Sequence, residues 1–203
     1  MVPHVLLDAD GVMQQVCGGW RATMSRLLGD GAEEFHGALH DLEVATLVGS
    51  GDFPAALAAA LAARDLDVPV DELYAALWLA IDVAPDSVAL VRSLRAAGHG
   101  VHLGTNQHAE RASYMKKELG YDDLFDTCFY SCDLGLAKPD AAFFAKVAES
   151  LGVATSDVVF VDDSATNVRG ALAAGMPALQ WTIDDGPAAI RSLLAAHDVR
   201  LAP

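Results

Sequence analysis

The sequence lacks the features that mark secreted or membrane-spanning proteins. It contains only three cysteines, Cys17, Cys128 and Cys132, and their spacing forms neither a disulfide framework nor a zinc motif. We interpret them as reduced thiols that serve in packing. The N-terminus has no basic and apolar segments of a secretion signal, and no apolar run is long enough to cross a bilayer. These absences predict a cytoplasmic protein with no membrane partner.

Positive charge is also scarce. The chain has 13 Lys and Arg residues against 28 Asp and Glu, for a formal net charge of −15. This balance argues against general nucleic-acid binding, because phosphate backbones are met by basic surfaces. An anionic substrate would therefore need a local positive site, supplied by a metal ion, a helix N-terminus or one selected lysine.

The length and hydrophobic content favour a globular α/β core. With 203 residues, 53% of them hydrophobic, the chain suits one domain, or one core with a modest insertion. Short apolar runs alternate with helical patterns after residue 86, which predicts a doubly wound, mostly parallel sheet. The predicted strands begin at His4, Val101, Asp126, Val158 and Ala178.

Residues 20 to about 82 show helical patterns and no convincing strand, whereas 13–19 resemble a loop. The last of these helices is predicted over Val70 to Ile81. So much helix is too long for a simple crossover between strands. We therefore predict a helical cap at 15–82, inserted into a Rossmann-like core formed by 1–14 and 83–203.

The first predicted strand ends at two aspartates separated by one residue. Asp8 and Asp10 would project to the same side of an extended segment. Two neighbouring carboxylates repel unless a cation or a shared proton compensates them. Gly11 then gives the backbone freedom to leave the sheet. The alternative interpretation is a surface turn, where Asp and Gly are common.

Polar residues also follow two other predicted strands. Thr105 and Asn106 follow one strand, Asp162 and Asp163 follow another, and Lys138 precedes a helix. In doubly wound sheets, ligands bind outside the carboxyl ends of the strands. A cluster of carboxylates at this edge suits Mg²⁺, a hard cation that oxygen atoms bind. Lys138, one of only four lysines, would add positive charge.

This ordered set of motifs resembles the haloacid dehalogenase-like (HAD) superfamily, in members with a helical cap after the first strand. The most specific stretches are Asp8-Ala9-Asp10-Gly11-Val12 and Val158 to Gly175. Thr105-Asn106 and Lys138-Pro139-Asp140 are weak alone but occur in the expected order and spacing. The resemblance extends from the first strand to about Trp181.

The resemblance implies a role for each residue. Asp8 would be the nucleophile that forms an aspartyl-phosphate, and Asp10 would protonate the leaving alcohol. The Thr105 hydroxyl and the Asn106 main-chain N–H would hold phosphoryl oxygens. Lys138 would neutralise charge and hold Asp8 near the phosphate.

Mg²⁺ would be bound by the Asp8 carboxylate, the Asp10 main-chain carbonyl and an aspartate of the adjacent acidic pair. Of that pair, Asp163 is expected to be the direct ligand and Asp162 to support it. Dehalogenases of the superfamily lack the second aspartate, so the presence of Asp10 favours phosphoryl transfer to water. The expected function is a Mg²⁺-dependent phosphatase for a small phosphorylated metabolite.

Three alternatives stay open at this point. A phosphomutase of the same superfamily would use the same aspartates but return the phosphoryl group to a sugar. A phospho-accepting signalling domain also collects aspartates, Thr and Lys at strand ends, although its acidic pair lies on the first strand and it has no cap. A phosphate-binding protein would keep the fold without turnover.

Within the predicted cap, Trp20 and Arg21 are candidates for substrate contact or for packing alone. The sequence leaves the substrate and the oligomeric state open.

Overall fold

A computed structural model describes residues 4–202, apart from the side chain of His40. Its main sheet has five parallel strands in the order β5-β4-β1-β6-β7, which confirms the predicted α/β class. A second sheet pairs β2 with β3 in antiparallel fashion. The strands are β1 (His4–Leu7), β2 (Gln14–Val16), β3 (Ile81–Val83), β4 (Val101–Thr105), β5 (Thr127–Tyr130), β6 (Val158–Asp162) and β7 (Ala178–Gln180).

Helices flank the main sheet and fill the segment between β2 and β3. The helices are α1 (Trp20–Leu28), α2 (Ala32–Leu47), α3 (Phe53–Ala62), α4 (Val70–Tyr74), α5 (Pro85–Ala96), α6 (Ala109–Lys117), α7 (Tyr121–Leu124), α8 (Ser131–Leu134), α9 (Ala141–Leu151), α10 (Ala165–Ala173) and α11 (Gly186–Ala195). Within the part of the chain that the structure describes, none of the helices combines the length and apolarity of a membrane span.

The central strand β1 is apolar on both faces because helices cover the sheet on both sides. Val5 and Leu7 belong to one buried cluster, with Val101 of β4. Leu6 belongs to the opposite cluster, with Phe160 of β6. Alternate side chains of a strand point to opposite faces, so the two layers together explain a continuous apolar run.

The helices between β2 and β3 enclose a third apolar cluster. It is formed by buried side chains of α1 to α4, including Met24, Phe35, Phe53, Leu57 and Leu73. A separate cluster of this kind is what a small inserted helical unit needs in order to hold its own shape. The predicted boundaries of core and cap stay a prediction, and residues 1–3 and 203 lie outside the described residues.

The antiparallel ribbon corrects the sequence-based prediction near these boundaries. Gln14–Val16 was expected in a loop and Ile81 at the end of a helix, but Gln14 pairs with Val83 and Val16 pairs with Ile81. The helix that starts at Val70 ends earlier than predicted, followed by a π-helical turn over Ala75–Leu79. Three-residue strands are too short for periodicity to identify.

The strand register places three chain segments at one edge of the main sheet. Leu7, the last residue of β1, pairs with Leu103 of β4 and with Val161 of β6. Parallel strands run in the same direction, so the residues that follow them meet at the same edge. Asp8, Thr105 and Asp162 are thereby brought together above the sheet.

Helix α10 approaches the loop before α9 so closely that only glycine fits at position 170. A Cβ atom at Gly170 would overlap the Pro139 carbonyl oxygen, although the backbone there is helical. We expect Gly170→Ala to lower the free energy of unfolding by about 1–3 kcal/mol, because the added carbon overpacks the contact. Urea denaturation measures this change.

Gly37 in α2 provides the matched control, because a Cβ atom there would meet nothing within 4 Å. Gly37→Ala should raise the free energy of unfolding by about 0.5–1 kcal/mol, since glycine is less favourable than alanine inside a helix. An equal gain in both variants would show that the contact at Pro139 is not tight.

Candidate active site

Lys138 lies at the centre of the polar groups above the sheet. Its Nζ atom is 2.7 Å from Oδ1 of Asp8 and 2.7 Å from Oδ2 of Asp162, and its side chain is only 1% exposed. One buried cation therefore joins the residues that follow β1 with those that end β6. A buried ammonium group is tolerated because both carboxylates compensate its charge.

Asn106 fixes the position of Lys138. The Asn106 Nδ2 donates to the Lys138 carbonyl (2.8 Å), and the Lys138 main-chain N–H donates to Asn106 Oδ1 (2.9 Å). This pair of bonds ties the end of β4 to the loop before α9. The sequence predicted a contribution from the main-chain N–H of Asn106, and the contacts of its side chain add this second task.

Burial and mutual repulsion perturb the titration of these groups. Burial raises the pKa of Asp8 to about 7, the Lys138 ammonium opposes the shift, and the charge of Asp162 adds to it. Burial alone would lower the pKa of Lys138, but the two carboxylates outweigh burial and raise it. The nucleophile predicted from sequence therefore needs further positive charge nearby in order to ionise fully at neutral pH.

Asp8, Asp162 and Asp163 form a compact acidic cluster. One carboxylate oxygen from each lies within 4.8 Å of the others. Burial, followed by the charge of Asp162, raises the pKa of Asp163. A hard divalent cation fits this donor set, because the donors are all oxygens and the three carboxylates outnumber the single ammonium.

The two adjacent aspartates have different surroundings. Asp162 is fully buried, and its carboxylate accepts bonds from Lys138, from the Ser164 main-chain N–H (2.8 Å) and from Asn167 Nδ2 (3.1 Å). Asp163 is exposed, and its carboxylate lies against Gly11, whose φ of +76° favours glycine. The donors around Asp162 leave Asp163 as the more accessible carboxylate.

Thr105 and Gln107 line the edge of the site beside the end of β4. Thr105 is buried, and its hydroxyl accepts a bond from Gln107 Nε2 (2.9 Å). The hydroxyl proton can still be donated to an anion, because the Gln107 bond uses only a lone pair of the oxygen.

The Asp10 side chain has partners that differ from those of Asp8. Strand β1 ends at Leu7, so the alternation expected for an extended segment does not continue to Asp10. Its carboxylate instead forms a bidentate ion pair with Arg111, with distances of 2.6 Å and 2.7 Å. Burial alone would raise the pKa of Asp10, but Arg111 and the amides of Gln14 and Gln107 lower it to about 2.

Sequence reasoning did not identify Arg111 or Gln107. Gln107 directly follows Thr105-Asn106, and Arg111 lies four residues further on, near the start of α6. This spacing was the available signal. Arg111 is one of nine arginines in the chain, and its residue type alone does not distinguish it. Only the packing of α6 beside Asp10 reveals its partner.

A cleft of about 480 Å³ opens beside Asp10, whose side chain is 43% exposed. The rings of Trp20 and Trp78 meet edge to face in its wall, with centroids 4.9 Å apart. Arg21 lies in a different depression, next to Glu33 and His36. Of the two adjacent candidates from the sequence, Trp20 therefore lines the cleft and Arg21 does not. The remaining lining residues are Gly11, Gln14, Gln15, Val16, Gly19, Glu43, Arg111 and Asp184.

Several characterised proteins are similar in sequence. The sesquiterpene phosphatase astK of Aspergillus oryzae is 36% identical over 101 residues, which cover 48% of this chain and 51% of the relative. The chain thus spans about half the length of that protein. A phosphoglycolate phosphatase of Rhodospirillum rubrum is 28% identical over an alignment of 217 positions, which covers 98% of this chain and 88% of the relative.

Solved structures share the fold. A HAD family enzyme of Bacteroides thetaiotaomicron, in complex with magnesium and inorganic phosphate, superimposes with a TM-score of 0.73 at 20% identity, over 89% of this chain and 94% of that one. A predicted HAD-like hydrolase of Porphyromonas gingivalis gives 0.74 at 19% identity, over 95% and 98%. The sequence of residues 2–175 matches the family model of the haloacid dehalogenase-like hydrolases. The chain therefore belongs to the haloacid dehalogenase-like hydrolase family.

Proposed function

We propose that the protein is a Mg²⁺-dependent phosphatase that hydrolyses a small phosphorylated metabolite through an aspartyl-phosphate intermediate. The observation that carries the proposal is the placement of Asp8 between the Lys138 ammonium and the acidic cluster, with a second aspartate two residues later. Two of the similar proteins are named as phosphatases, which supports a phosphate ester as substrate.

Asp8 is proposed as the nucleophile. Its carboxylate oxygen would attack phosphorus, and Lys138, at 2.7 Å, would hold that carboxylate in place. Because Lys138 also contacts Asp162 at 2.7 Å, the ammonium cannot rotate away without breaking a buried ion pair. Orientation of this kind lowers the entropic part of the activation barrier.

The proposed metal ligands are the carboxylates of Asp8 and Asp163 and the main-chain carbonyl of Asp10. When bound, Mg²⁺ would supply positive charge that neutralises the oxygens of the phosphoryl group. Asp162, whose carboxylate accepts bonds from Lys138, Ser164 and Asn167, would support the site without direct ligation. Its hydrogen bonds would keep the cluster rigid.

Asp10 is proposed to donate the proton that the leaving alcohol needs, and later to take a proton from the attacking water. The Thr105 hydroxyl and the Asn106 main-chain N–H are proposed to bind phosphoryl oxygens, as preorganised donors do in such sites.

We also propose that residues 15–82 form a cap over a core of residues 1–14 and 83–203. The separate apolar cluster of α1 to α4 supports this division, as does the short ribbon of β2 and β3 that joins the two parts. Closure of such a cap would exclude water and position the organic part of the substrate in the cleft. The cytoplasmic location stays a prediction.

Substitution of the two aspartates separates their proposed roles. Asp8→Asn should abolish phosphate release, because an amide cannot form the aspartyl-phosphate. Asp10→Asn should lower kcat for an alkyl phosphate by about 10²–10⁴-fold, the usual contribution of a general acid. The loss should be smaller for 4-nitrophenyl phosphate, whose leaving group departs without a proton. Phosphate release measured with each substrate, with Mg²⁺ present, provides the comparison.

Asp123, an exposed aspartate in α7, is the matched control, and Asp123→Asn should keep the parent activity. Full activity in Asp8→Asn would refute the proposed nucleophile. Analysis of a sugar phosphate by NMR distinguishes hydrolysis from isomerisation, and conversion to an isomer without phosphate release would identify a phosphomutase instead.

Metal binding should appear in thermal unfolding independently of activity. At pH 7.5, Mg²⁺ at about 100 times its dissociation constant should raise Tm by about 5–10 °C. The rise should shrink at pH 5.5, because the pKa of Asp8 is raised to about 7 and that of Asp163 is also raised. Below those pKa values the folded state retains protons that the metal must displace.

Asp163→Asn should remove most of the Mg²⁺-induced rise in Tm, since it replaces the accessible carboxylate of the cluster. Asp123→Asn again serves as the control and should keep the full rise. A rise of the same size in Asp163→Asn, or one that grows towards pH 5.5, would contradict the proposed ligand set.

A further inference from the structure

All acceptor positions of the Asp10 carboxylate are occupied. Oδ1 accepts bonds from Arg111 Nη2 (2.7 Å) and Gln14 Nε2 (3.0 Å). Oδ2 accepts bonds from Arg111 Nη1 (2.6 Å) and Gln107 Nε2 (2.9 Å). A carboxylate offers about four lone-pair sites, so each of these sites already has a donor. At least one donor has to leave before Asp10 can act as an acid.

Arg111 connects Asp10 with the helical segment between β2 and β3. Its side chain is only 7% exposed, and its Nε donates to the Trp78 carbonyl at 2.8 Å. Trp78 lies in the π-helical turn just before β3, and turns of this kind are frequent at functional sites. A movement of this segment about the ribbon would shift Trp78, and with it the guanidinium of Arg111.

A second carboxylate lies close to the same guanidinium. Glu43 of α2 accepts a bond from Trp78 Nε1 at 3.1 Å, so Glu43 and Arg111 both contact Trp78. Glu43 and Arg111 also line the same cleft as Asp10. Burial disfavours the charged form of Arg111, and the charges of Asp10 and Glu43 both help to raise its pKa again. Arg111 therefore has two acidic neighbours, Asp10 in a direct ion pair and Glu43 through their shared contact with Trp78.

We propose that Arg111 is a positioning residue that holds Asp10 before substrate enters and transfers to Glu43 when substrate occupies the cleft. Transfer between two carboxylates keeps the buried guanidinium paired throughout, which avoids the large cost of an isolated buried charge. Gln14 and Gln107 stay on Asp10 and keep its orientation. This inference rests on the proposed phosphatase function.

The transfer frees Asp10 for the chemical step. As the bond between Asp8 oxygen and phosphorus forms, the bond between phosphorus and the leaving oxygen breaks, and its electron pair stays on that oxygen. Before this step Asp10, no longer paired with Arg111, takes up a proton from water in the cleft. The leaving oxygen takes that proton, which yields the alcohol and the aspartyl-phosphate. Asp10, now a carboxylate, then accepts a proton from the attacking water. The water oxygen bonds to phosphorus as the bond between phosphorus and Asp8 breaks, which releases phosphate and restores the Asp8 carboxylate.

The ratio of kcat for glycerol 2-phosphate to kcat for 4-nitrophenyl phosphate tests the proposal. Only the alkyl ester depends strongly on a proton from Asp10, so the ratio reports how available Asp10 is. Glu43→Gln should lower the ratio about tenfold, because Arg111 loses its second anionic partner. A tenfold decrease corresponds to an activation free energy for the alkyl ester that is higher by about RT ln 10. The amide oxygen of the variant still accepts the bond from Trp78, so the local fold is kept.

Arg111→Met should change the ratio in the opposite direction and raise it above that of the parent, because the saturated acceptors of Asp10 are released. Adding Asp10→Asn to this variant should cancel the increase. Turnover of 4-nitrophenyl phosphate, together with the thermal melting curve, reports whether Arg111→Met still folds. Glu33→Gln is the control for Glu43→Gln. Glu33 is exposed and lies in α2, the helix of Glu43, so this variant should keep the parent ratio.

A parallel loss with both substrates in Glu43→Gln and Arg111→Met would assign a purely structural role to these residues and overturn the proposal. An unchanged ratio in Glu43→Gln would also overturn it. If the parent hydrolyses both esters and Asp10→Asn lowers the ratio, a parallel loss or an unchanged ratio refutes only the transfer of Arg111 and not the phosphatase function. If the parent hydrolyses neither ester, the phosphatase function itself fails.

Discussion

The structure depends on one buried ammonium group that joins two strand ends. Lys138 lies 2.7 Å from Asp8 and 2.7 Å from Asp162, and without it the two buried carboxylates would repel each other. The surrounding contacts serve this arrangement. Asn106 fixes the backbone of Lys138, and Gly170 lets α10 approach the adjacent Pro139. The polar edge of the sheet and the packing of α10 are therefore coupled through the adjacent residues Lys138 and Pro139.

Two aspartates that are two residues apart have opposite titration behaviour. Burial raises the pKa of Asp8 to about 7, whereas Arg111 overcomes burial and lowers the pKa of Asp10 to about 2. The proposed roles require the reverse, an ionised Asp8 and a protonated Asp10. A cation at the acidic cluster would lower the pKa of Asp8, and removal of Arg111 would raise that of Asp10. Both changes depend on where positive charge lies in the site. Positive charge is scarce in this chain, which has 13 Lys and Arg residues against 28 Asp and Glu.

Much of the fold could be predicted because it rests on local patterns. The apolar run before Asp8 indicated a strand buried on both faces, and β1 indeed contributes Leu6 to one layer and Val5 and Leu7 to the other. The ribbon of β2 and β3 was missed because its strands have only three residues each. Its pairing joins residues almost seventy positions apart, and contacts of that range leave no periodic pattern in the sequence.

The sequence by itself determined which groups meet at the edge of the sheet, because parallel strands carry the residues that follow them to one side. Asp8, Thr105 and Asp162 could be named in advance for this reason, whereas Lys138, which precedes a helix, was named from the order of the motifs. The tertiary structure alone decided how charge is distributed among them. Arg111 pairs with Asp10 because α6 packs beside the loop after β1, and the direction of a long side chain depends on packing rather than on its position along the chain.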